Sequence, residues 1–310
     1  MPVLRIAHRG GAALKPENTL SAFADAIARG ADGAELDVQL TQDGHVVVFH
    51  DFRLKPDICR RKDGEWVTAP APKIVDLPLR ELEAIDVGRP QHGSEYARTH
   101  PLLEPADGER IPLLAEVVEL ARHGPKPFRL FVELKSSFTD PTLSAPPEQL
   151  AEKALAVIAA SDFEHNTVFV GFDWRGLLRI KSLQPSAQCW FTTLAQSWFR
   201  EGNPPAEDEP PALPALQILR HWASTCTSPW AAGYDAAKYG GSILEAIKAA
   251  GGDGWFPHFR DARRDTISAA HRMGLRVGAW TVDDPGTMRT LTSAGIDAIC
   301  TDRTDLIMNL

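Results

Sequence analysis

No stretch of this chain is wholly apolar for more than seven residues, the longest being Ala154–Ala160. A membrane-spanning helix needs about 20, so stable membrane insertion is not expected. The first residues, Met1–Ile6, lack the basic segment and long apolar core of a secretion signal and run straight into a strand pattern. Cysteine is scarce. The four present, Cys59, Cys189, Cys226 and Cys300, lie far apart with no C-x-x-C spacing, which argues against zinc and redox motifs. Idle thiols in a reducing compartment follow, and with them a cytoplasmic location. An excess of positive charge is also missing, since 33 Lys and Arg face 41 Asp and Glu for a net charge of −8. That balance speaks against a nucleic-acid partner. Taken alone, it also looks unwelcoming to phosphate.

What is present is ordinary globular composition, 44% apolar and 24% charged over 310 residues, enough for one large barrel or two average domains. Short apolar runs at Val3–Ala7, Gly33–Gln39, Phe128–Leu134, Thr167–Val170, Ala187–Phe191, Gly254–Pro257, Leu275–Trp280 and Asp297–Cys300 read as strands. Helical stripes lie between them: Leu20, Phe23, Ala24 and Ile27, closed by Gly30; Leu114, Val117, Val118 and Ala121, closed by Gly124; and Leu150, Ala154, Val157 and Ile158. Repeated strand–helix alternation predicts an α/β fold, a TIM (β/α)₈ barrel, which typically takes ~250 residues.

Two stretches interrupt the repeat. Val46–Phe49 follows the turn signal Asp43-Gly44 and reads as an extra strand paired to the second. Residues 51–112 then carry mixed charge, scattered proline and glycine and one weak helix, Leu79–Ile85. They are expected to form a small insertion over the barrel rim, leaving 1–50 and 113–310 as the barrel domain. Residues 196–240 hold Pro204, Pro205, Pro210, Pro211, Pro214 and Pro229 and form a long excursion with no assigned role.

The chemistry concentrates at strand ends. In Gly33–Leu40, strand alternation turns Ala34, Leu36, Val38 and Leu40 toward the helices, and Glu35 and Asp37 together into the lumen. Paired buried carboxylates need a cation, either a basic side chain or a divalent metal. Glu133 and Lys135 share one face of the next barrel strand. Three carboxylates without a Cys or His cluster favour one hard ion, Mg²⁺ or Ca²⁺, over zinc. His8 ends the first strand and His50 ends the Val46–Phe49 run, so both reach the same rim and suit acid and base duties near neutral pH. Arg9 adds a fork that matches phosphate. Together these point to phosphoryl chemistry. Pro16-Glu17-Asn18-Thr19 reads as a helix opening from which Glu17 or Asn18 could reach the site; Phe172, Trp280 and His258 are candidates at later strand ends, with core packing the alternative.

His8-Arg9-Gly10, Pro16-Glu17-Asn18-Thr19, Gly30–Val38 with Glu35 and Asp37, Thr41-Gln42-Asp43-Gly44, His50-Asp51, Glu133-Leu134-Lys135, Gly278–Asp283 and Ala294–Asp302 resemble the glycerophosphodiester phosphodiesterase family. The resemblance implies a TIM barrel with an insertion after its second strand. It implies Glu35, Asp37 and Glu133 as ligands of Mg²⁺ or Ca²⁺, His8 and His50 as the acid/base pair, Arg9 and Lys135 as phosphate contacts, and Trp280 as a pocket wall. The implied reaction is hydrolysis of a small-molecule glycerophosphodiester to sn-glycerol 3-phosphate and an alcohol, with water or the glycerol 2-hydroxyl as nucleophile. A related diesterase acting on lysophospholipids is the nearest alternative; a catalytically silent barrel and an unrelated metal-dependent barrel enzyme are more remote. Two stretches depart from the family pattern: Phe52–Ile58, where an Arg-Thr-Thr-like run is usual, and the proline-rich 196–240.

Overall fold

Eight parallel strands close on themselves in the computed structural model, which describes residues 2–199 and 212–308. In chain order the strands are β1 (Leu4–Ala7), β2 (Gly33–Leu40), β3 (Val46–Val48), β4 (Arg60–Arg61), β5 (Ile85–Asp86), β6 (Arg129–Leu134), β7 (Thr167–Gly171), β8 (Gln188–Thr193), β9 (Gly254–Pro257), β10 (Arg276–Ala279) and β11 (Ala298–Thr301). Around the barrel they run β1, β11, β10, β9, β8, β7, β6, β2, and β2 returns to β1 through Ile6↔Gly33 and Ala7↔Ala34. Gly33 fits where β2 meets β6 on its other side, because a Cβ there would lie 2.4 Å from the Arg129 carbonyl oxygen. The expected extra strand is β3, antiparallel to β2 with Leu40 opposite Val46.

Alternation sorts the core into two layers. Ala34, Leu36, Val38 and Leu40 join Val117, Val118, Leu150 and Ala154 between sheet and helices. Ile6, Phe131, Val168, Val170, Trp190 and Phe256 fill the barrel interior, with Trp190 edge-on to Phe131 at 5.2 Å. The register sets Glu35 opposite Phe131 and Asp37 opposite Glu133, so the second pair of acids lies further toward the C-terminal strand ends, the end where barrels build their sites.

Local signals explain the helices. Leu20–Arg29 begins at Thr19, whose hydroxyl accepts the Ala22 N–H, and ends at Gly30 with φ 85°. Leu114–Arg122 and Pro147–Ala160 cover the other two stripes. The weak helix differs from expectation: it stops at Leu82, and Ile85 instead enters β5, antiparallel to β4. Ile85 is buried there with Phe49, Leu54, Ile74, Leu82 and Tyr96, a hydrophobic cluster separate from the barrel core. Within 196–240, a helix runs from Leu213 to Thr225 with Pro214 in its first turn; Pro204, Pro205, Pro210 and Pro211 lie outside the described residues. All four cysteines are free thiols, with Cys59, Cys189 and Cys300 buried. Among the described residues no helix is long and apolar enough to cross a membrane.

At the opposite end of the barrel, Asp32 joins three segments. Its carboxylate accepts from the Arg5 backbone N–H at 3.1 Å, Arg5 Nε at 2.7 Å and Lys126 Nζ at 2.7 Å. Burial pushes its pKa up, but the hydrogen bonds from Arg5 and Lys126 outweigh that and hold it at about 2. A depressed folded pKa stabilises above the unfolded value, and that stability is lost as pH falls toward 2. Asp32→Asn should therefore cost about 1 kcal/mol at neutral pH, the partial exposure of the cluster limiting the loss. Urea unfolding should show the variant losing less stability than wild type between pH 4 and pH 2.

Candidate active site

β2 and β6 bring Glu35, Asp37 and Glu133 together, and one carboxylate oxygen of each lies within 4.8 Å of the others. The three are nearly inaccessible, at 2%, 1% and 9% relative exposure. Burial, then the charge of Asp37, pushes the Glu35 pKa up to about 8. For Asp37 burial acts the same way, but the charges of His50, Lys135 and Arg9 outweigh it and hold the carboxyl below its ordinary value. Glu35 Oε1 is buried without a hydrogen-bond partner. An oxygen left bare in a nest of carboxylates fits a place for a divalent cation, and an all-oxygen donor set suits a hard one.

Arg9 reaches this cluster because the chain turns sharply after β1. His8–Gly10 is a kinked turn in which Arg9 takes the left-handed φ 49° and Gly10 takes φ 85°. A Cβ on Gly10 would approach the Ala22 Cβ to 2.7 Å, so only glycine lets the turn pack on the first helix. The Arg9 N–H donates to Glu35 Oε2 at 3.2 Å, its Nη1 donates to Glu17 Oε1 at 3.2 Å, and its Nε lies 3.4 Å from Asp37 Oδ2. Glu17 is held from its other side by the buried Tyr96 hydroxyl at 2.6 Å. Asn18, at φ 57°, donates from Nδ2 to Asp37 Oδ2 at 2.9 Å and accepts the Asp37 N–H at 3.3 Å. Both residues of the helix opening thus reach the cluster, while Thr19 supplies the cap. Lys135 Nζ lies 2.8 Å from Glu133 Oε1 and 3.6 Å from Asp37 Oδ1.

Each histidine carries a carboxylate on Nδ1. His8 Nδ1 is 2.8 Å from Asp302 Oδ1, and its Nε2 is 3.7 Å from Glu35 Oε2. His50 Nδ1 is 2.8 Å from Asp51 Oδ1. Such a partner fixes Nδ1 as the donor and leaves Nε2 for proton transfer. Burial disfavours the His8 imidazolium, but the charge and hydrogen bond of Asp302 prevail and raise its pKa to about 9. Trp280 follows β10; its Nε1 donates to the Phe256 carbonyl at 3.0 Å, and its ring meets Phe172 edge-on at 5.3 Å and His258 at 5.5 Å. These three form an aromatic wall.

Sequence reasoning missed Asp51, Asp302 and Tyr96 as parts of this arrangement. Asp51 had a visible signal, a carboxylate one residue past a strand-end histidine. Asp302 stands 294 positions from His8 and is brought near only because β11 pairs with β1. Tyr96 comes from a five-residue helix, Glu95–Thr99, in the stretch between β5 and β6, where no pattern marks it.

Residues 8–306 match the glycerophosphoryl diester phosphodiesterase family. A glycerophosphodiester phosphodiesterase of Caldanaerobacter subterraneus subsp. tengcongensis is 29% identical over 310 residues, spanning all of this chain and 98% of the relative. A Silicibacter pomeroyi structure assigned to the glycerophosphoryl diester phosphodiesterases superposes with a TM-score of 0.79 at 28% identity, covering 99% of this chain and 93% of that one. An Oleispira antarctica phosphodiesterase, solved with the product sn-glycerol-3-phosphate, shares the fold with a TM-score of 0.67 at 23% identity, covering 99% of this chain and 95% of that one. With the barrel, the carboxylate cluster and the match over nearly its full length, the chain belongs to the glycerophosphoryl diester phosphodiesterase family and is an enzyme of that family.

Proposed function

We propose that this chain hydrolyses glycerophosphodiesters to sn-glycerol 3-phosphate and a free alcohol in the cytoplasm, with His8 and His50 as general acid and base. The observation that carries this reading is the pair of carboxylate-anchored histidines, His8 with Asp302 and His50 with Asp51, beside the acidic cluster. Glu35, Asp37 and Glu133 would hold one divalent cation, Mg²⁺ or Ca²⁺. When bound, that ion supplies positive charge to the phosphodiester oxygens.

The remaining work falls to the chain itself. Arg9 and Lys135 grip the phosphate, Arg9 with a fork whose direction is set by Glu17 and Asp37. Trp280 gives the glycerol a flat apolar wall. His8, raised to about 9, is protonated at neutral pH and donates to the departing alkoxide. His50 takes the proton from the nucleophile, its ring held by Asp51. Residues 51–112 are read as a unit over the rim, supported by their own apolar cluster and by the reach of Tyr96 to Glu17.

A coupled assay for glycerol 3-phosphate should detect turnover of glycerophosphodiesters. EDTA should abolish it, and Mg²⁺ or Ca²⁺ should restore it. His8→Ala and His50→Ala should each lower kcat by about 10² to 10⁴; near-normal turnover in both would remove the acid/base assignment. In the metal-free protein, NMR should show the His8 ring titrating near 9. Asp302→Asn removes the charge that favours the imidazolium, so the midpoint should move down. An unchanged midpoint would mean that Asp302 does not set the His8 proton.

A further inference from the structure

The two histidines are held in different ways. His8 takes its carboxylate from Asp302, which follows β11, so that contact fixes the ring against the barrel frame through the β1–β11 pairing. Asp51 is simply the next residue after His50. Their bond orients the ring within its own segment and leaves open where that segment stands relative to Glu35, Asp37 and Glu133. Lys55, 3.7 Å from Asp51 Oδ2, belongs to the same segment. Downstream, the Phe52 carbonyl accepts the Ile74 N–H at 3.0 Å, which ties the chain to residues 51–112 and not to the barrel.

The tie to the barrel comes from β2. Val38 faces Val48 in the antiparallel β2–β3 pairing, so Asp37 and Phe49 are the next facing pair. In such a ladder a hydrogen-bonded pair exchanges both N–H···O bonds. Here one half is made, the Phe49 N–H donating to the Asp37 carbonyl at 2.9 Å. The Asp37 N–H goes instead to Asn18 Oδ1 at 3.3 Å, and among the described residues no backbone N–H donates to the Phe49 carbonyl. Gln39 fills that gap. It lies two residues beyond Asp37 on the same face of β2 and is only 2% exposed. Its Nε2 donates to the Phe49 carbonyl at 2.8 Å and to the Asp51 carbonyl at 2.9 Å, with the His50 carbonyl further off at 3.4 Å. A side-chain amide has two N–H donors, and both go to the carbonyls that flank His50. We propose that Gln39 is a positioning residue for His50, its amide clamping the segment so that the imidazole and its Asp51 partner stand at a fixed place beside the carboxylate cluster. The inference rests on the diesterase reading above for what His50 does, but not for the clamp itself.

Gln39→Met keeps the length of the side chain and removes both donors. Its kcat on a glycerophosphodiester should fall about ten- to a hundredfold, with KM changed by less than about twofold, because the lost contact orients the base and does not hold substrate. In a His50→Ala background the same substitution should lower kcat by less than about twofold, since nothing is left to position. Equal losses in both backgrounds, or a normal kcat in Gln39→Met, overturn the inference while the proposed function stands. Ring dynamics by NMR need no turnover. The His50 ring should be ordered in wild type and gain mobility in Gln39→Met, while the His8 ring, held by Asp302, is unchanged. Loosening of both rings, or of neither, overturns the inference. If the expected pattern appears yet no diester is turned over, the clamp stands and the proposed function falls. Should Gln39→Met fail to fold, the wild-type chain still decides: both Gln39 amide protons should be protected from exchange with water, and free exchange of either overturns the clamp.

Discussion

Three carboxylates buried within a few ångströms of one another repel, and the arrangement of the site follows from relieving that repulsion. Glu35, Asp37 and Glu133 lie on adjacent strands in fixed register, so they cannot move apart without breaking the barrel. The relief comes from elsewhere in the chain: Arg9 after β1, Lys135 after β6, and the amide of Asn18 from the first helix opening. What this set leaves unmet is the bare oxygen of Glu35, where under the proposed function a divalent ion would complete the balance. The net charge of −8 therefore says little about the partner. Under the proposed function, guanidinium, ammonium and a bound cation would together make a pocket that attracts phosphate.

Under the proposed roles, the anchoring residues act one step away from the chemistry. Asp302 and Asp51 turn two mobile rings into fixed ones, and Asp302 makes His8 a stronger base than an isolated imidazole. Glu17, pinned between Tyr96 and Arg9, fixes the plane of the guanidinium. Through Tyr96, the stretch between β5 and β6 reaches Glu17 and so the Arg9 side of the carboxylate cluster.

Much of this was legible in the sequence because it is periodic or local. Alternation in Gly33–Leu40 separates Glu35 and Asp37 from Leu36 and Val38 without any coordinates, and Gly30 ends its helix where the pattern places it. What was hidden depends on contacts distant in the chain. Asp302 becomes a partner of His8 only through β1–β11 pairing, and Ile85 left its short helix because a neighbouring strand pair and an apolar cluster outweighed a weak local preference. A chamber lined by Phe138, Phe172, Phe199, Trp230 and Tyr234 was hidden for the same reason, since its walls come from the segments after β6, β7, β8 and β9.

The contact between His8 and Asp302 has a consequence for when the protein can act. Asp302 follows His8 by 294 positions, so it is synthesised long after it. Until β11 is in place beside β1, His8 lacks the carboxylate that orients and charges it, and the barrel has an open seam. With His8 as the proposed acid, a chain without β11 in place would be a poor catalyst however well its first half folds. Activity would then report closure of the barrel between β1 and β11.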